Sequence, residues 1–94
     1  MGVTSMIVRP NLVHVGWTRI NGDLVLYLPK NETYFVLNDT GAIVWELMVN
    51  GETKVENIVK HLSQMFHCDP SVVKQDVLEL VNTLKIKELI FTDS

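Results

Sequence analysis

Thr33-Tyr34-Phe35-Val36-Leu37-Asn38-Asp39-Thr40-Gly41-Ala42-Ile43-Val44-Trp45-Glu46-Leu47 decides how this chain reads. The β-branched and aromatic run Thr33–Leu37 has the residue types of a strand. It stops at Asn38-Asp39, either of which can cap a helix, and a segment rich in apolar residues follows at once. A strand and a helix start therefore adjoin with almost no linker. If that strand is the last of its sheet, its free side can accept a peptide as an additional strand. Nothing in the junction has the residue types of catalysis.

Upstream, Asn21-Gly22 predicts a two-residue type I′ turn, because both residues tolerate positive φ. The turn sets a register in which Trp17 opposes Leu26 and Val15 opposes Leu28. Leu24, Leu26 and Leu28 then share an inner face with Val13, Val15 and Trp17. Residues 29–32, Pro-Lys-Asn-Glu, read as a second turn. With a four-residue turn, Phe35 opposes Leu26 and Leu37 opposes Leu24, so Thr33, Phe35 and Leu37 face inward and Tyr34 and Val36 outward. The result is a three-stranded meander with its middle strand central and Thr33–Leu37 at an edge. Residues 1–11 read as a tail that orders against the sheet, with a break at Pro10-Asn11.

Downstream, the first helix runs to about Val49 and ends at Asn50-Gly51. Residues 53–56, Thr-Lys-Val-Glu, have the form of a capping box for a second helix. Its apolar side is Val55, Ile58, Val59, Leu62, Met65 and Phe66. Asp69-Pro70 supplies an N-cap and a first helical proline, and a third helix follows to about Lys85. Val73, Val77, Leu80, Val81 and Leu84 form its stripe, and Asp76 lies at the stripe's border. Residues 89–92 are an apolar end, either a strand or a segment laid over the core. Strands first and helices second predict an α+β domain over residues 12–92, a three-stranded antiparallel sheet followed by three helices.

Ninety-four residues with 47% hydrophobic content suit one globular domain. The net charge of -3 disfavours nucleic acid and anionic membrane, whose recognition relies on Lys and Arg. The single cysteine, Cys68, allows no internal disulfide and fits a reducing compartment. No signal peptide is evident in residues 1–10, and no apolar run reaches the roughly 18 residues of a membrane helix. A cytoplasmic location follows by default.

Each candidate chemistry has a plainer reading. His61, His67, Cys68 and Asp69 have metal-ligand types, but at no zinc spacing and with no second ligand pair. A polar helix end at a capped turn explains them. The second and third helices have helix-turn-helix order. The third, however, sets Lys74 and Lys85 against Asp76 and Glu79 and has no basic stripe for DNA. There is no Gly-rich phosphate loop, and Gly41 and Gly51 have structural roles at the two ends of the first helix. Trp17 and Trp45 read as core anchors. No cofactor is expected.

The run Tyr34-Phe35-Val36-Leu37-Asn38, then Thr40-Gly41-Ala42-x-Val44-Trp45-Glu46-Leu47, then Asn50-Gly51-x-Thr53, Ile58, Leu62, Asp69-Pro70, Asp76-Val77 and Leu80 resembles the PqqD-like family. These are leader-peptide recognition elements of ribosomally made, modified peptides. The resemblance spans about residues 12–91. It implies a winged-helix-like fold, no catalysis and a precursor leader peptide as ligand. The leader adds to the strand Thr33, Tyr34, Phe35, Val36 and Leu37 and faces a wall of Val73, Asp76, Val77 and Leu80. It also implies an enzyme partner that modifies the delivered peptide.

The chain departs from the quinone-pathway member, which has a basic, aromatic first strand and a Tyr-Pro-Glu-like segment after the second. Here those regions read His14-Val15-Gly16-Trp17-Thr18-Arg19 and Tyr27-Leu28-Pro29-Lys30. The chain is more similar to stand-alone leader-binding proteins of lasso-peptide clusters, which work with a peptidase and an ATP-dependent cyclase. Service to a radical S-adenosylmethionine enzyme, and a winged-helix DNA-binding regulator, are the alternatives. An unliganded edge strand is also a route to a homodimer.

Overall fold

A computed structural model describes residues 6–37 and 39–93. The order is β1 (Ile7–Pro10), β2 (Gly16–Ile20), β3 (Asp23–Leu28), β4 (Thr33–Leu37), α1 (Asp39–Val49), α2 (Val55–Phe66), α3 (Pro70–Ile86) and β5 (Ile90–Asp93). The strands form two antiparallel sheets, β2-β3-β4 and β1-β5.

The meander forms in the expected register. Asn21 and Gly22 take φ of 53° and 90°, as a type I′ turn requires. Trp17 sits opposite Leu26, Leu26 opposite Phe35 and Leu24 opposite Leu37. A single 3-10 turn at Pro29–Asn31 and a left-handed Glu32 make the second connection. Leu24, Leu26, Leu28 and Leu37 are buried, and α1 lies against β3 and β4. Trp45, fully buried on α1, fills the centre with Met48, Ile58, Leu62 and Leu84. The strand-to-helix passage is as abrupt as the sequence implies. Asp39, at a left-handed φ of 41°, is the first residue of α1. The alternative cap, Asn38, lies outside the described residues.

Several expectations are corrected. In its described part, the tail is a structural strand. Val8 is wholly buried, and β1 pairs with β5 rather than with the meander. Its other side is bonded too, through Val8 N–H to Thr53 O (2.7 Å) and Val55 N–H to Met6 O (3.0 Å). Those two bonds also explain why the Thr53 capping box is not used. The segment before α2 is held as a strand partner, α2 starts at Val55 behind Lys54, and no side chain caps it.

Val13 is not on the inner face. It is 85% exposed in a turn where Asn11 O accepts the N–H groups of His14 and Val15. Trp17 faces inward but remains 39% exposed, so it is not a core anchor. The helix cover falls on β3 and β4, leaving β2 at the margin, where Arg19 reaches across to Glu46 at 2.7 Å. Residues 90–93 resolve the choice left open for the chain's end, as the strand β5. Asp69 caps α3 as expected, its Oδ1 accepting from Ser71 N–H at 2.9 Å.

Candidate functional site

The type I′ turn fixes which way every backbone group in the meander points. Its closing bond joins the carbonyl of Ile20 to the N–H of Asp23. Asp23, Val25 and Tyr27 therefore turn their amides and carbonyls towards β2, and Leu24, Leu26 and Leu28 turn theirs towards β4. The partners of those leucines, Leu37, Phe35 and Thr33, face back into the ladder. The N–H and C=O of Tyr34 and Val36 are left pointing out from the open edge of β4. Together they are two donors and two acceptors in one row, the template for an added strand.

Beyond that edge lies α3, and three clefts lie on this side of the fold; the middle one spans β4 and α3 and shares Thr40 and Asp76 with the one at the start of α3. The middle cleft, of about 320 Å³, is lined by Val36, Leu37, Thr40, Gly41, Asp76 and Leu80. The cleft at the start of α3, of about 330 Å³, is lined by Thr40, Leu62, Phe66, Cys68, Val73, Asp76 and Val77. The cleft at the other end, of about 170 Å³, is lined by Leu28, Asn31, Thr33, Phe35, Lys87 and Leu89. Most of this lining is apolar. Its charged members are Asp76 and Lys87.

The structure thus sets eight of the nine residues singled out from the sequence along these three clefts. Thr33, Phe35, Val36 and Leu37 come from β4, and Val73, Asp76, Val77 and Leu80 from α3. They differ in depth. Val73 and Val77 are buried, Leu80 is half-buried, and Asp76 is exposed with no hydrogen-bond or ion-pair partner among the described residues. Tyr34 lines none of these clefts. It lies on the outer sheet face, 67% exposed, its ring 4.6 Å from that of Tyr27. Its backbone, not its ring, faces the open edge.

Thr40, Leu62, Phe66, Lys87 and Leu89 also line the groove but carry no signal that sets them apart by type. Lys87 could have been found by period. It follows Asp76 at i+4, i+7 and i+11 through Leu80 and Thr83, on one helix face. Its Nζ lies 5.3 Å from the centre of the Phe35 ring.

No group of three or more metal-ligating side chains occurs among the described residues. His67 is the left-handed C-cap of α2, and Asp69 is engaged with Ser71. The two Ser71 bonds, backbone first, hold the Asp69 carboxyl below its ordinary pKa. No described helix is long and apolar enough to cross a membrane.

A sequence model of the family described as coenzyme PQQ synthesis protein D matches residues 23–90. No curated protein matches the sequence significantly. Among solved structures, TbiB1 in complex with the TbiA(β) leader peptide is similar at 27% identity. That match covers 87% of this chain and 93% of that one, with a TM-score of 0.80. A lasso peptide synthetase B1 complexed with the leader peptide shares the fold at 19% identity, covering 94% and 99%, with a TM-score of 0.77. The PqqD truncation of Methylobacterium extorquens PqqCD, a stand-alone recognition element for ribosomally synthesised and modified peptides, shares it at 22% identity. It covers 90% and 88%, with a TM-score of 0.72.

Proposed function

This chain belongs to the PqqD family, and from that premise we propose that it is a non-catalytic adaptor that binds the leader of a ribosomal precursor peptide by β-strand addition. It hands the precursor to its modifying enzymes, in lasso-peptide biosynthesis, where a peptidase and a cyclase act on the delivered chain. The observation that carries this reading is an open β4 edge facing an apolar groove against α3. The likeness to TbiB1, itself in complex with a leader peptide, supports it.

The mechanism follows from the geometry. The leader lies along β4 and pairs with the outward N–H and C=O groups of Tyr34 and Val36. That pairing requires no particular leader sequence. Alternate leader side chains then point towards α3, where Val73, Leu80 and Phe66 offer apolar contact above the buried Leu62 and Val77. Apolar burial supplies affinity, and the shape of the clefts supplies specificity. Nothing in this scheme needs a cofactor or a bond-making step. The adaptor raises the local concentration of precursor at the enzymes.

The test is a titration with the leader of a precursor encoded beside this chain's own gene, followed through backbone amide resonances. The expected result is the largest shifts at Tyr34 and Val36 and along 73–80, with 1:1 stoichiometry. Shifts confined to α2 and the outer sheet face would overturn the reading. Self-association of the free protein through β4, detected by sedimentation, would mark the edge as a dimer contact instead.

A further inference from the structure

We infer that the groove reads charge order: it selects a leader with a basic residue followed, four positions later, by an acidic one. This rests on the leader-binding reading above and deepens it.

Asp76 and Lys87 are the charged residues among those lining the three clefts: Asp76 lines the middle cleft and the one at the start of α3, and Lys87 the one at the other end. Both are exposed, and neither has an ion-pair partner among the described residues. Lys87 rests over the Phe35 ring, which holds the ammonium beside the strand. Between them the clefts are lined by the apolar Leu80, Leu37 and Phe35.

The spacing follows from the two periodicities. Asp76 lies on α3 and Lys87 is its C-cap, eleven positions on, or roughly 16 Å of rise. An added antiparallel strand advances about 3.4 Å per residue and turns alternate side chains to the same side. Only an even separation lets two of its side chains both face α3. Four residues cover about 14 Å, and the reach of two long side chains closes the remainder.

Direction follows from the sheet. β4 runs from Thr33, beside Lys87, to Leu37, beside the cleft that contains Asp76. Every strand pairing among the described residues is antiparallel, the more stable arrangement per residue. A leader added in that sense starts at the Asp76 end and finishes at the Lys87 end. Its basic residue therefore precedes its acidic one, and the residue midway between them meets Leu80. Threading in the opposite sense would set like charges together at both residues.

The probe is a library of random peptides displayed on phage, selected separately on the wild-type protein and on the double variant Asp76→Lys/Lys87→Glu, whose fold is checked by circular dichroism. Wild type should enrich Lys or Arg four positions before Asp or Glu, and the double variant the reverse order. A selected wild-type peptide with its two charges exchanged should then bind roughly 5-fold more weakly at low salt, and the difference should shrink as salt rises. That fluorescence-anisotropy comparison uses wild type alone, so it stands even where the double variant fails to fold. Peptides enriched without charge order, or with affinity indifferent to the exchange, would overturn the charge inference and leave the adaptor reading in place. No enriched peptides at all, or peptides that bind equally well when β4 carries Val36→Pro, would overturn the adaptor reading itself.

Discussion

Val77 and Asp76 are adjacent on α3 and sit in opposite environments. Val77 is 1% exposed, so it belongs to the core as much as to the groove wall. Val77→Asp would bury an unpaired carboxylate and should cost upwards of about 4 kcal/mol. We expect a collapsed thermal transition by circular dichroism, which makes this variant a reporter of stability rather than of recognition. Asp76 is the better probe of the site. Asp76→Asn keeps the shape and should weaken leader binding by about 0.2–1 kcal/mol in isothermal titration, with an unchanged melting curve. A change in the melt would instead tie Asp76 to folding. Asp69 gives a third test, through pH. Its carboxyl is held below the ordinary carboxylate pKa by two bonds from Ser71. A depressed pKa stabilises the folded state above the ordinary value, and that gain is lost as pH falls through the folded one. Asp69→Ala should therefore lower stability near neutral pH and converge on wild type in strong acid. A constant offset across the acid limb would show that the cap's charge is irrelevant.

At the scale of the element, β4 holds two roles on two sides. Its inward backbone groups complete the sheet, and those of Tyr34 and Val36 face out. Val36→Pro removes one outward donor without touching a ladder bond, at an edge position where proline is tolerated. It should leave the fold intact by amide spectra and reduce leader affinity by about 1–3 kcal/mol. Full affinity would show that the strand does not pair with the ligand. The elements that were legible in the sequence are those specified locally. Asn21-Gly22 fixed the meander's register, Asp69-Pro70 fixed the start of α3, and the stripe 73, 77, 80 fixed which side of α3 turns to the core. What escaped was set by distant partners. Nothing near Thr53 reveals that its carbonyl is claimed by Val8, and four residues at Ile7–Pro10 are too short a run to announce pairing with β5. Trp17 was misread for a related reason. Alternation gives its face correctly, but the extent of helix cover over β2 is a tertiary fact. Lys87 sits past the apolar stripe, so hydrophobic pattern alone passes over it.

For the molecule as a whole, the β1-β5 pair acts as a clasp beneath the three helices. Val8 and Ile90 bury their side chains in the same core as Trp45 and Leu84. Val8→Ala should lower stability by about 2 kcal/mol, from lost transfer energy and the space left behind. Chemical denaturation reads this, and leader affinity measured well below the transition should be unchanged. Lost affinity would show that the clasp also shapes the groove. The clasp joins the first described strand to the last, with Ile7 directly across the ladder from Asp93. Among the described residues the first and last strands are therefore neighbours, and the path between them is topologically nearly a ring. A linker of about four residues, the length of an ordinary hairpin loop, would close it. New ends could then be opened in the exposed turn at Val13-His14, outside the meander and α3, giving a circularly permuted protein whose groove is intact.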